Sequence, residues 1–398
     1  MSPVLPFDVI ALIIDIVGEN NDTNLLKELA LVSHSFHQIC IKHLFAHVEL
    51  HDVGWDYSTS SKKGFIKLVK SRPNVVNYIR KLTYEAGHNN DDHLLSPILS
   101  NFLPKNSCLN CLAINASNFR WNELDSSLTS AFLHLISLPT LNHINLSYIG
   151  NFPPSSLTSS VNLFRLDMSY LSCFDYPEED NFYKTLQSEM NPKIREFHTW
   201  DSCLLTETLL DVKGQDGRPV FNFMDLRRLS ISFFYYEDKR NIQCLLEKAK
   251  LLERLSLSVD FEESLVGVFS TSARTLKVLD LTVPIYQYHV PPLAGLCKEL
   301  EAMAGHNTLE VLSFEVLVDS NYAVDSVGST IQEVENVLVK PGWSALRQIS
   351  FKLKIVVCGG RAELTELQSL PDKYLTRLSK LESVAFNYSA YPVYISAK

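Results

Sequence analysis

The chain has 398 residues, with 36 Lys and Arg against 45 Asp and Glu, a net charge of -9 at pH 7 and a pI near 5.8. That balance argues against nucleic acid as a partner, because non-specific affinity for it rests on neutralising phosphates with Lys and Arg. The length exceeds one ordinary compact core, so two or three domains or an extended repeat architecture are expected. No secretory leader is read at the start, since the first apolar run lacks preceding basic residues and is interrupted by Asp15. No uninterrupted apolar stretch reaches the roughly twenty residues that would span a membrane, and no membrane partner is expected. Eight cysteines scattered through a large chain suit reduced thiols in the cytosol or nucleus.

From Leu5 to Leu50 apolar residues arrive in three helical bursts: Val9, Ile10, Ile13, Ile14 and Val17, then Leu25, Leu26 and Leu29, then Val32, Phe36, Ile39, Cys40 and Leu44. The first burst covers well over the usual third of a helix surface, more than a three-helix unit can bury. An apolar face is therefore left for a partner. Pro6 suits a helix's first turn, and Asp8 suits the positive end of its dipole.

Leu5-Pro6 opening an Ile-rich helix, Leu31-Val32-Ser33 with Phe36, and Leu44-Phe45 followed by Val48 and Leu50 resemble the F-box, in the variant common in fungal proteins. The late Trp that many F-boxes carry in the third helix is absent. The resemblance implies a module, residues 1–50, that docks on the adaptor of an SCF-type (cullin-RING) ubiquitin ligase through Leu5, Pro6, Ile10, Ile13, Ile14, Leu31, Val32 and Phe36. It also implies that the rest of the chain selects a protein substrate and that the chain has no catalytic residues of its own. The other reading of this segment is a helical cap on the remainder of the chain.

Residues 51–75 read as a polar linker and a connecting helix, with the burst Phe65, Ile66, Leu68 and Val69 ended by Pro73. VVNYIRKLTYEA then reads as a strand, and FIKLVKSRPNVVNYIRKLTYEA resembles the segment that commonly comes after the F-box in fungal members.

Residues 76–398 repeat one pattern, apolar-x-x-apolar-x-apolar, the core of the leucine-rich repeat. Eleven occurrences run from Ile79-Leu82-Tyr84 to Leu381-Val384-Phe386, with starts 22 to 37 residues apart. Between them, 94–102, 128–136, 182–190, 242–249, 293–304, 331–338 and 364–378 show apolar residues three or four apart and read as helical returns. The residue between the last two anchors is Thr83, Ala113, Asn145, Asp167, His198, Ser230, Ser256, Asp280, Ser313, Ser350 or Ala385, never a large aliphatic. Alternation along a strand puts these on a face opposite the anchors, so one face of the sheet is open. The Asn or Cys that regular repeats place three residues after the last anchor is missing, which predicts irregular repeats. The expected fold is α/β: a three-helix F-box, then an irregular leucine-rich-repeat-like solenoid with parallel strands on the concave face and helices on the convex face. Two ordinary α/β domains are the alternative.

Candidate chemistry is sparse. His88, Asp91, Asp92 and His93 lie in GHNNDDH, which reads as a solvated loop rather than a metal site, since metal sites need ligands converging from fixed elements. Cys108 and Cys111 form a single CxxC, whereas zinc sites normally pair two such elements. No nucleophile elbow or phosphate loop is present, so neither an enzyme nor a bound cofactor is expected. On the open face Glu196, His198 and Trp200 stand together, flanked by Arg165 and Asp167 before and Arg228 after, and a Trp among charges on an exposed strand is an interface anchor for a substrate. Its alternative is a Trp folded back onto the edge.

Overall fold

The computed structural model describes residues 6–20, 22–51, 61–86, 93–116, 119–171, 192–213, 218–232, 238–258, 269, 271–285, 294–319, 324–357 and 367–394. Leu5, His88, Asp91, Asp92, residues 52–60 of the expected linker and the helix expected over 182–190 lie outside them. The chain divides into two compact units, residues 1–192 with 212–221, and residues 193–211 with 222–398.

The first unit opens with α1 (Phe7–Glu19), α2 (Thr23–Ala30) and α3 (His34–Leu44). Asp22 caps α2 by accepting from Leu25 N at 3.1 Å, and Ser33 caps α3 by accepting from Phe36 N at 3.3 Å. Pro6 stands at the N-cap of α1, one position earlier than the first turn, and its carbonyl accepts from Val9 and Ile10. Ile14, Leu26 and Cys40 form the centre, with Ile10, Val17, Leu29, Phe36, Ile39 and Leu44 packed round it. Gly18 permits the close approach of α1 to α3: a Cβ there would lie 2.2 Å from the His43 ring, whose Nε2 meets Asp15 at 2.7 Å.

No linker separates α3 from the sheet. After Phe45-Ala46 the chain enters β1 (His47–Leu50), which pairs in parallel with β2 (Lys81–Glu85), and the Ala46 carbonyl accepts from Arg80 N and Lys81 N. The boundary expected at residue 50 therefore falls inside a sheet. Between these strands α4 (Ser61–Ser71) buries Phe65, Ile66 and Val69, so the expected connecting helix is the return of the first repeat. The strand expected over VVNYIRKLTYEA is shorter. Pro73–Tyr78 forms a 3-10 helix, because Pro73 suits a helical start and Val75 and Val76 are buried by the turn rather than by a ladder.

β3 (Cys111–Asn115), β4 (His143–Ser147) and β5 (Arg165–Ser169) continue the first unit's sheet in chain order, each parallel to its predecessor. The returns are a short α5 (Ser96–Leu99), α6 (Ser126–Ile136) and a 3-10 turn at Pro154–Ser159. Leu82, Leu112, Ile144 and Leu166 are fully buried, and burial of such a side chain contributes about 2 kcal/mol. Behind them Tyr84 meets Phe132 edge-on at 5.0 Å and Trp121 meets Phe152 at 4.9 Å. The missing Asn ladder is replaced by apolar filling: Ile149 and Leu171, at the ladder positions of their repeats, are buried.

The second unit carries β6 (Glu196–Trp200), β7 (Arg228–Ser232), β8 (Arg254–Ser258), β9 (Val278–Ile285), β10 (Val311–Asp319), β11 (Gln348–Val357) and β12 (Ala385–Tyr394), again parallel and in chain order. Its helices are α7 (Cys203–Asp211), α8 (Asp238–Lys248), α9 (Ala294–Met303), α10 (Val324–Leu338) and a short helix Leu370–Tyr374. All eleven expected anchor triplets meet a strand, β2 to β12. The last four strands outrun the triplet, and in β9, β10 and β11 the buried alternation continues through Val283, Val316, Val318, Leu353 and Ile355. Of the between-anchor residues from Thr83 to Ser350, every one is half-exposed, and Ala385 is exposed. One face of the sheet in each unit is thus open, as the alternation requires.

Candidate binding surfaces

Three surfaces bring functional side chains together. The first is on the helical segment. With Ile14 1% exposed, its core is already closed, yet Leu12, Ile13 and Ile16 remain about half exposed on α1, and Leu31 and Val32 in the turn before α3 are 87% and 64% exposed. Leu12, Ile13 and Ile16 keep the three- and four-residue spacing of one helix face. Of the residues expected to meet an adaptor, Pro6, Ile13, Leu31 and Val32 are thus on the surface. Ile14 is not: its side chain holds the three helices together. Ile10 and Phe36 are half-buried against the same core. Leu12 and Ile16 were not among the expected residues, although Ile16 is three residues from Ile13 and four from Leu12, which was enough to find them.

The second surface is the open face of the first unit, where β3, β4 and β5 align a polar chain. His143 Nδ1 lies 3.3 Å from Cys111 Sγ, and His143 Nε2 lies 2.8 Å from Asp167 Oδ2. Arg165 Nε donates to both Asp167 oxygens at 3.0 and 3.1 Å. Burial opposes charge on His143, but the hydrogen bonds to Asp167 and then to Cys111 outweigh it and raise its pKa to about 9. Burial also pushes the Asp167 carboxyl up, and the hydrogen bonds from His143 and Arg165 outweigh it and hold that carboxyl below its ordinary value. Asp167 was expected on this face; Cys111 and His143 were not. Their signal was position, two residues before Ala113 and Asn145 and therefore on the same side of their strands.

These shifts make stability depend on pH. The folded value of His143 stands above the 6.5 of an unfolded imidazole, so its contribution is whole below about 6.5 and is lost as pH rises through about 9. Asp167 has the opposite sign: its contribution is present above about 3.8 and is lost as pH falls through its depressed folded value. Denaturant midpoints should therefore fall between about pH 6 and pH 9 in the wild type, and Asp167→Asn should remove most of that fall.

The third surface is the open face of the second unit. Glu196 pairs with Arg228 at 3.2 Å, directly across the β6–β7 register, and His198 and Trp200 succeed Glu196 at alternate positions of β6. Trp200 is 47% exposed, so its ring is presented rather than folded into the core. Further along, Arg254 Nη2 reaches Asp280 at 2.8 Å, and Ser256 donates to the same carboxylate at 3.2 Å. Arg165 and Asp167, expected to flank Trp200, belong to the first unit.

Among the described residues no group of three or more His, Cys, Asp or Glu could hold a metal ion, and no described helix is long and apolar enough to cross a membrane. No protein-family model matches the chain, and no curated protein matches it.

Proposed function

We propose that the chain is the substrate-recognition subunit of an SCF-type ubiquitin ligase. Its N-terminal helices would dock on the adaptor, and through it on cullin and RING proteins, while the leucine-rich-repeat-like sheet faces hold a protein substrate. The observation that carries this reading is the apolar surface of Leu12, Ile13, Ile16, Leu31 and Val32, left in water by helices whose own core is complete. Exposed apolar surface on a folded segment marks an interaction site when it is contiguous and large, and α1 contributes one continuous stripe. Leu31 and Val32, in the F-box-like stretch Leu31-Val32-Ser33, are exposed as well. Function would then rest on position: holding substrate near the charged conjugating enzyme raises its effective concentration, and the partners supply the chemistry. The working compartment would be the cytoplasm, the nucleus or both.

Co-purification with an untagged ligase adaptor tests the reading. A stoichiometric complex supports it, and its absence removes it. Substrate capture has a separate test at Trp200. Truncating a central aromatic anchor costs about 2 kcal/mol or more, so a protein recovered with the wild-type chain should bind Trp200→Ala at least roughly thirtyfold more weakly in titration. Unchanged binding would place the substrate elsewhere.

One observation favours a second reading, a leucine-rich-repeat scaffold without a degradative role whose helices cap the sheet. α3 runs into β1 without a linker, and Ala46 is hydrogen-bonded to the start of β2. A cap of this kind cannot be deleted without unfolding the repeats next to it. Removal of residues 1–46 with retained cooperative unfolding would count against it.

A further inference from the structure

The described free cysteines differ sharply in surroundings. Cys40 is buried in the helical core, which raises its pKa, and Cys297 is pushed up to about 12 by burial and then by Glu333 and Glu301. Neither environment favours a reactive thiol. Cys108 is exposed. Cys111 lies on the open face, 8% exposed, with the His143 ring nitrogen 3.3 Å from its sulfur. A histidine in hydrogen-bond reach of the sulfur is the usual partner of a nucleophilic cysteine. The imidazole is in turn oriented by Asp167, so thiol, base and orienting carboxylate stand in the order that activates a nucleophile.

Geometry also narrows the chemistry. The imidazole sits between sulfur and carboxylate, its two nitrogens pointing apart, so the three groups do not converge on one metal ion. Backbone N–H groups around the thiol belong to the β2–β3–β4 ladder, which leaves no pair of donors to stabilise an oxyanion as acyl transfer would need. A reaction at the sulfur itself needs neither.

We propose that Cys111 is a peroxide-sensitive modification site, with His143 as the proton donor of the step and Asp167 as a positioning residue. The thiolate attacks one oxygen of hydrogen peroxide. The O–O bond breaks as the S–O bond forms, sulfur is oxidised to sulfenic acid, and peroxide is reduced. The departing hydroxide takes the Nδ1 proton of the imidazolium and leaves as water, so that His143 ends neutral. Oxidation therefore replaces the thiolate in the Cys111–His143–Asp167–Arg165 chain with a neutral sulfenic acid, on a face presented to partners.

The test uses full-length chain exposed to equimolar hydrogen peroxide with dimedone present, and adducts located by mass spectrometry. Cys111, in a Cys108→Ser chain, should form its adduct faster than the more exposed Cys108 does in a Cys111→Ser chain. His143→Gln should slow the Cys111 reaction on the order of a hundredfold and leave Cys108 unchanged. Asp167→Asn, which preserves shape, should slow it less and serves if His143→Gln fails to fold. The proposal is overturned if Cys111 reacts no faster than Cys108, or if the folded His143→Gln or Asp167→Asn chain keeps the wild-type rate.

Discussion

Ile13→Asp should abolish capture of the ligase adaptor while leaving both units folded. In the free chain Ile13 is 47% exposed on α1, so a carboxylate at that position keeps its water and costs little. In the proposed complex the same carboxylate would be buried without a partner. That penalty is several kcal/mol, on the order of a thousandfold in affinity. The measurement is co-purification beside a thermal melt of the variant. Ile14→Asp supplies the contrast, since Ile14 lies in the closed core with Leu26 and Cys40 and its replacement should melt the helices themselves. Full recovery of the adaptor by Ile13→Asp would sink the docking surface, and loss of the fold in both variants would show that α1 has no free face.

Glu335→Ala should destabilise the second unit strongly, although the residue replaced is polar. The Glu335 side chain on α10 is 2% exposed, and it accepts from Arg377 N at 2.7 Å, from Leu378 N at 3.0 Å and from Arg377 Nε at 3.1 Å. It thus ties the return before β12 to the preceding helix. Alanine would leave the buried Leu378 N–H with no acceptor and lose the ion pair, a cost of about 3 kcal/mol. Glu335→Gln keeps one acceptor oxygen and should lose about a third of that. Denaturant unfolding gives the size, and hydrogen exchange gives the place: 375–394 should open first. A loss below about 0.5 kcal/mol for Glu335→Ala, the scale of ordinary surface substitutions, would mean that the carboxylate does not hold this segment.

The first fifty residues illustrate how far sequence reasoning reached. Three helices were legible from apolar spacing, and Ser33 stands where a cap belongs. Spacing also showed that one face too many was apolar. It did not separate Ile13 from its neighbour Ile14, because both fall within one broad stripe and only the approach of α2 and α3 decides which is covered. β1 was hidden for a related reason. His47–Leu50 is four residues long, and Val48 and Leu50 alternate too briefly to distinguish a strand from the end of a helical motif. Val75 and Val76 misled in the opposite direction, since β-branched residues suggest a strand while the preceding Pro73 starts a 3-10 turn.

By itself the sequence determined the strands β2 to β12, the open face and its polar residues, because a period-two pattern is local and each triplet carries its own inside and outside. Tertiary structure alone decided the pairings. Cys111, His143 and Asp167 are separated by 32 and 24 residues and meet only because parallel strands stack in register. It decided as well that α4 belongs to the repeats and that Glu335 holds the segment at Arg377. Register and helix approach are set by contacts between distant residues, and no local pattern contains them.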